Sequence, residues 1–196
     1  MKKHLFAIVT FLLSSTLFLS AQTFIRDAQN GDARAQYKMG RMYENAEGVR
    51  KDIRKAVEWY EKAAGQNEPD AVFALGRLYY YGVDLKQNYR KAANYFRISS
   101  EEFGNSEAAY CLGEMYEVGL GVRQNVYKSH AWYKKAAEKG LAKAQYKLGR
   151  MYFYGIGVVE NKLQAAKWIK SAFDNGYPTA RIFWAENELW KYENQE

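Results

Sequence analysis

The 196-residue sequence has few of the residues that build covalent frameworks or metal centres, with 1 cysteine, 2 histidines and 2 prolines. A single cysteine cannot form a disulfide within the chain, and structural zinc sites need several Cys or His ligands. His4 lies in an apolar N-terminal segment, so His130 is the one histidine in the remainder. We therefore expect no metal site and no cofactor.

The sequence also lacks a strong excess of one charge, since 29 Lys and Arg stand against 22 Asp and Glu. Such a mild positive charge, spread along the chain, does not predict nucleic acid binding. Hydrophobic residues make up 48% and aromatic residues 16%. This apolar content excludes a disordered chain and supports a folded core.

The N-terminus resembles an export signal. Lys2 and Lys3 precede an apolar run over residues 5–13, which the hydroxyl residues at 14–16 interrupt before it reaches the length of a membrane span. We predict a signal peptide over 1–21, cleaved after Ala21, with an uncleaved signal anchor as the alternative. We expect an exported protein without a stable membrane anchor, either periplasmic or secreted.

An internal repeat dominates the remaining sequence. Gly40, Gly76, Gly113 and Gly149 stand 36, 37 and 36 residues apart, and a tyrosine follows each glycine by three positions. The predicted segments are a lead-in at 22–30, four units at 31–66, 67–103, 104–139 and 140–175, and a partial unit or capping helix at 176–196.

Each unit is predicted to be two helices joined by a turn. Apolar residues recur three and four positions apart, and glycines such as Gly155 and Gly157 suit a turn that needs positive φ. The second helices should begin after the N-caps Asp52, Asn88, Asn125 and Asn161. The predicted fold is all-α, a right-handed α-solenoid with a C-terminal capping helix, since one hairpin cannot bury its own apolar face.

The fourth unit carries the full pattern, in which Ala144, Gly149 and Tyr152 precede Gly155, Gly157, Val158, Asn161, Ala165, Trp168 and Ala172. This pattern is similar to the Sel1-like repeat, a relative of the tetratricopeptide repeat. The resemblance implies a scaffold that binds proteins or peptides. Cysteine-rich members of the family have been described as binding or cleaving β-lactams, but their paired cysteines are missing here, where Cys111 stands alone.

No constellation of residues predicts catalysis. His130 occupies a packing position of its repeat, Ser129 beside it points elsewhere on a helix, and no Ser-x-x-Lys motif is present. Cys111 is expected to be a partly exposed thiol without an adjacent base. We expect a protein that is not an enzyme.

By analogy with tetratricopeptide-like solenoids, the first helices should line a concave binding face, one and four or five residues after each repeat glycine. The candidate partner-binding residues are Arg41, Glu44, Arg77, Tyr80, Tyr81, Glu114, Glu117, Arg150, Phe153 and Tyr154. These positions vary between units, as expected if a partner or solvent selects them. We hypothesise an extended peptide with apolar anchors on the tyrosine and phenylalanine pairs and a basic residue facing Glu114 and Glu117. The alternative is that these side chains are scattered solvent-facing residues.

The sequence thus predicts an exported scaffold or adaptor that mediates protein–protein or protein–peptide interaction in a bacterial envelope. One alternative is a secreted effector that binds a host protein, and a second is a cell-wall or β-lactam hydrolase.

Overall fold

A computed structural model describes residues 23–193, and within this range the chain is helical without any strand. The signal peptide predicted at 1–21 lies outside the described residues. The helices are α1 (residues 23–29), α2 (Ala33–Asn45), α3 (Ile53–Ala64), α4 (Pro69–Tyr81), α5 (Tyr89–Glu101), α6 (Ser106–Val118), α7 (Val126–Glu138), α8 (Ala142–Tyr154), α9 (Lys162–Asp174), α10 (Pro178–Glu186) and a 3₁₀ helix (Leu189–Tyr192).

Side-chain caps define where the second helix of each repeat begins. Asp52, Asn88, Asn125 and Asn161 are the N-caps of α3, α5, α7 and α9, and each side chain accepts a hydrogen bond from the backbone N–H three residues later. These bonds satisfy donors that the first helical turn leaves unpaired. All four predicted caps are confirmed.

Left-handed residues end the first helices. Gly119 and Gly155 are the C-caps of α6 and α8, with φ of 83° and 68°, and Ala46 takes the same conformation at the end of α2 with φ of 60°. The backbone N–H of each returns to a carbonyl four residues earlier. The turn predicted from the glycines is therefore present, and it persists where alanine replaces glycine.

The chain divides into two compact units, one up to Leu75 and the other from Gly76, and α4 contributes residues to both. In the first unit Ala28, Ala35 and Met39 form a buried cluster. The buried Gln36 side chain donates to the Ala28 carbonyl at 3.1 Å. Helix α1 is thereby tied to α2.

The second unit is built from contacts between successive repeats. One buried cluster joins Ala109 and Ala136 of the third repeat to Ala144 and Leu148 of the fourth, and another joins α9 to the C-terminal segment. Each cluster draws side chains from both sides of a repeat boundary. Stacking therefore buries the apolar faces that a single hairpin would leave exposed.

The C-terminal segment, predicted as a partial unit or capping helix at 176–196, contains two short helices. Helix α10 ends at Glu186, Glu188 takes a left-handed φ of 50°, and a 3₁₀ helix follows. This break turns Leu189 into the core, where it is 0% exposed, while Trp190 stays 47% exposed.

The repeat glycines allow close approach within each hairpin. A Cβ added at Gly113 would lie 2.5 Å from the Tyr133 ring, and one at Gly149 would lie 2.7 Å from Ile169. Beside this contact the Ser129 hydroxyl donates to the Gly113 carbonyl at 2.9 Å. These small residues therefore allow the two helices of a hairpin to pack closely.

The second turn glycine makes a different contact, between repeats. A Cβ at Gly157 would lie 2.5 Å from the Val126 carbonyl oxygen, and one at Gly121 would lie 2.3 Å from the Tyr89 carbonyl carbon. Val126 and Tyr89 are the first residues of α7 and α5. Each of these turns therefore packs on the start of the second helix of the preceding repeat.

Candidate functional site

Helices α4, α6 and α8 present the predicted residues of the second unit at equivalent positions. We call the residues one, four and five positions after Gly76, Gly113 and Gly149 the first-helix face. Its most exposed row holds Tyr81, Val118 and Tyr154, which are 66%, 61% and 51% exposed. Arg41 and Glu44 belong to the first unit. There Arg41 Nη2 lies 3.6 Å from Glu47 Oε1.

Electrostatic effects connect two pairs of the predicted residues in the second unit. Burial and the charge of Glu114 both raise the pKa of Tyr80. Arg150 is among the cations that act on Glu117. Tyr80 therefore lies within electrostatic range of Glu114, and Glu117 lies within electrostatic range of Arg150.

The residue four positions after the glycine varies because its packing partner varies. Glu44 and Glu117 accept hydrogen bonds of 2.6 Å from the hydroxyls of Tyr60 and Tyr133. Where the second helix carries Phe96 instead of tyrosine, the fourth position is Tyr80, whose ring centroid lies 6.0 Å from that of Phe96. Packing within each hairpin thus accounts for the variation in residue type at this position, which the sequence analysis attributed to selection by a partner or by solvent.

Both carboxylates proposed to face a basic ligand residue are engaged within the protein. Glu117 Oε2 also accepts from Lys147 Nζ at 3.0 Å, and Glu114 accepts from the Tyr110 hydroxyl at 2.9 Å. Burial alone would raise the pKa of Glu117, but the hydrogen bonds from Tyr133 and Lys147 and the nearby cations lower it on balance. A basic ligand residue at Glu117 would compete with Lys147.

Arg150 lies among aromatic rings. Its guanidinium carbon is 5.8 Å from the ring centroids of Tyr146 and Tyr154 and 6.0 Å from that of Phe183. Phe183 itself packs edge-on against Phe153 at 5.3 Å. Phe183 is not among the residues predicted from the sequence. It lies in the partial repeat two residues before Ala185, which stands 36 residues after Gly149.

Cys111 and His130 are both partly buried. Burial, followed by the charge of Glu114, raises the pKa of Cys111 to about 12, so the thiol stays protonated at neutral pH. The His130 ring packs edge-on against Tyr152 at 5.3 Å, and its buried Nε2 has no hydrogen-bond partner. Burial and the nearby Lys134 lower the pKa of His130.

Within residues 23–193 no group of three or more His, Cys, Asp or Glu side chains is placed to hold a metal ion. No helix in this range combines the length and apolar character needed to cross a membrane.

The sequence matches the Sel1 repeat family over residues 33–68, 69–102, 106–141 and 142–177. Each matched segment begins two residues after the corresponding unit read from the glycine register. The chain belongs to the Sel1 repeat family, whose α-solenoid class confirms the predicted fold, and such repeats typically form protein–protein interaction scaffolds.

Solved structures of similar chains support this assignment. A Sel1 repeat protein from Oxalobacter formigenes is 33% identical with a TM-score of 0.73, covering 83% of this chain and 64% of its own. A protective antigen of uropathogenic Escherichia coli strains with an SLR fold is 30% identical with a TM-score of 0.77, covering 81% of this chain and 34% of its own. Helicobacter pylori cysteine rich protein B is 29% identical with a TM-score of 0.54, covering 68% of this chain and 95% of its own.

This chain thus spans less than two thirds of the length of the first two of these structures. No curated protein matches it significantly.

Proposed function

We propose that the protein is an exported, non-catalytic scaffold that binds a protein or peptide through the first-helix face of its second unit. The observation that carries the proposal is the row formed by Tyr81, Val118 and Tyr154, which are all more than half exposed at the same position of three successive repeats. An aligned apolar row gives a bound polypeptide regularly spaced contacts, and tyrosine contributes strongly to binding at interfaces.

The geometry also selects which residues should be tested. Tyr80 and Phe153 are half-buried and pack against Phe96 and Phe183, so their removal would disturb the fold as well as the surface. Tyr81 and Tyr154 are better probes because most or half of each side chain already contacts solvent.

The test is site-specific photocrosslinking in the native cell. A photoreactive amino acid replaces Tyr81 or Tyr154 in separate strains, and the crosslinked polypeptides are identified by mass spectrometry. The matched control is the same replacement at Tyr127, which is 73% exposed at the start of α7. We expect one common adduct from positions 81 and 154 and none from position 127.

The captured partner is then used in binding measurements with purified protein. Combined Tyr81→Ala and Tyr154→Ala substitutions should weaken binding by tenfold or more, equivalent to about 1.4 kcal/mol, while Tyr127→Ala should not. Adducts found only at position 127 would move the binding surface to the second helices and contradict the proposal.

Export is a separate part of the proposal and rests on the charged and apolar pattern of the N-terminal segment. Sequencing the N-terminus of the protein purified from its native host should give Gln22 as the first residue. A partner from the cell's own envelope would support an adaptor, whereas a partner found only in host-cell material would support the secreted effector.

A further inference from the structure

Arg150 combines aromatic neighbours with unused hydrogen-bonding capacity. The rings of Tyr146, Tyr154 and Phe183 lie 5.8 to 6.0 Å from its guanidinium carbon, within the range of cation–π attraction. Contact with rings leaves the five N–H donors of the guanidinium available, because these donors lie in its plane. Arg150 can therefore donate hydrogen bonds to a ligand while its guanidinium stays near the rings.

Two carboxylates of α6 are already paired with lysines of α8, the helix that carries Arg150. Lys143 pairs with Glu107 at 2.6 Å, and Lys147 pairs with Glu117 at 3.0 Å. Within the described part of the chain, Arg150 has no carboxylate oxygen within 4 Å. The described residues therefore do not supply Arg150 with its strongest possible partner, a carboxylate that accepts two parallel hydrogen bonds.

The surroundings of Arg150 favour an anionic ligand group beside an apolar one. Residues 142–186 contain seven Lys and Arg against three Asp and Glu, so this end of the chain is basic. Tyr154 offers an exposed ring next to the guanidinium, and its other neighbours are the rings of Phe153 and Phe183.

We propose that Arg150 is an anchor that binds the side-chain carboxylate of an Asp or Glu in a partner polypeptide, while an adjacent apolar residue of that partner packs on Tyr154. This inference rests on the proposed function and specifies the chemistry of the partner. It replaces the basic ligand residue expected from Glu114 and Glu117, since both of those carboxylates are engaged internally.

Selection of short random peptides on the purified protein tests the anchor. The peptides are displayed with their C-termini fused to the carrier, so that no terminal carboxylate is free. We expect selected sequences to be enriched in Asp or Glu next to an apolar residue. Synthetic copies with amidated C-termini then give affinities for the wild type and its variants.

Arg150→Gln should weaken binding of the selected peptides by tenfold or more, and Arg150→Lys should weaken it less, because lysine keeps the charge but loses the planar set of donors. The matched control is Arg181→Gln, which removes an equal charge from an exposed position on α10. That control should leave the affinity within about twofold, since Arg181 lies outside the first-helix face and a surface charge that does not contact the ligand contributes little. Unchanged melting temperatures show that each variant is folded.

Charge reversal provides a second readout. Selection on Arg150→Glu should enrich Lys or Arg at the position where the wild type selects Asp or Glu. Absence of acidic enrichment on the wild type, or equal affinity for wild type and Arg150→Gln, overturns the anchor. If Tyr154→Ala weakens peptide binding while Arg150→Gln does not, the result supports the proposed binding face and contradicts the Arg150 anchor. If neither substitution weakens peptide binding, the result contradicts the proposed binding face as well.

Discussion

The carboxylate of Glu117 links two repeats through one side chain. It receives the Tyr133 hydroxyl from its own hairpin at 2.6 Å and the Lys147 ammonium from the next repeat at 3.0 Å. Hydrogen bonds to an ionised group are stronger than those between neutral groups. Glu117 therefore supports the stacking of the third and fourth repeats, which gives it a role in stability as well as a place on the binding face.

Replacing Glu117 with glutamine should lower the free energy of unfolding by about 1 kcal/mol at pH 7, a modest value because the side chain is 40% exposed. The lowered pKa of Glu117 in the folded state means that its ionised form stabilises the fold above the ordinary pKa, and that this contribution is lost as pH falls through the folded-state pKa. Urea unfolding at pH 7 and at acidic pH measures the effect.

The difference between wild type and Glu117→Gln should therefore disappear at acidic pH. Glu138→Gln is the control, since Glu138 makes only an exposed pair of 3.8 Å with Lys134 and should change stability little at either pH. An equal loss at both pH values would show that packing, not charge, is responsible for the effect of Glu117→Gln.

Residue-scale prediction from the sequence reached the helix on which each candidate residue lies but not the partners of these residues within the protein. The register placed Glu117, Tyr80 and Arg150 correctly on the first helices. It did not connect Glu117 with Tyr133, because that pairing depends on how the two helices of a hairpin meet. The repeats do contain the signal: glutamate occurs at the fourth position where the second helix has Tyr60 or Tyr133, and an aromatic residue occurs there otherwise.

At the scale of helices and turns, local chemistry determines most boundaries. Asn125 and Asn161 begin α7 and α9, and Gly119 and Gly155 end α6 and α8. These features are predictable because caps and left-handed turns depend on neighbouring residues only. The break between α10 and the 3₁₀ helix was not predictable from local sequence. Glu188 adopts a left-handed conformation there although it is not glycine, and this conformation occurs together with the burial of Leu189.

The contact between a turn and the preceding repeat gives a sharp test. Gly157 and Gly140 both have positive φ, of 66° and 85°, so alanine at either should cost about 1 kcal/mol from backbone conformation. A Cβ at Gly140 would meet nothing within 4 Å, whereas one at Gly157 would lie 2.5 Å from the Val126 carbonyl oxygen. We expect Gly157→Ala to lower the free energy of unfolding by about 3 kcal/mol or more.

Urea denaturation followed by circular dichroism measures both variants under the same conditions. Gly140→Ala serves as the control for the conformational cost alone. Equal losses of stability in the two variants would mean that the turn containing Gly157 does not pack closely against α7 in solution.

Across the second unit as a whole, stability depends on how its C-terminal end is covered. Ile169 and Ala172 of α9 are buried together with Phe183 of α10 and Leu189 of the 3₁₀ helix. Without these last elements the apolar side of α9 would face water. The predicted cap is thus present, but two short elements form it rather than one helix.

Truncation of a core side chain in this cap should be costly. Leu189 is 0% exposed, so Leu189→Ala should lower the free energy of unfolding by about 2–4 kcal/mol. Trp190 lies next to it and is 47% exposed, so Trp190→Ala is the control and should cost less than about 1 kcal/mol. Chemical denaturation compares the two, and a larger loss for Trp190→Ala would show that the cap packs differently.

Glu44 pairs with Tyr60, and Glu117 pairs with Tyr133. Each of these pairs lies within a single hairpin of its own. Gene duplication or recombination that copies a complete hairpin therefore carries both halves of the pair with it. A crossover in the turn would instead separate them, leaving a phenol opposite an aromatic ring or a carboxylate opposite phenylalanine. The hairpin is thus the smallest exchangeable cassette of this chain, and an engineer who shuffles its repeats should cut between hairpins and not within them.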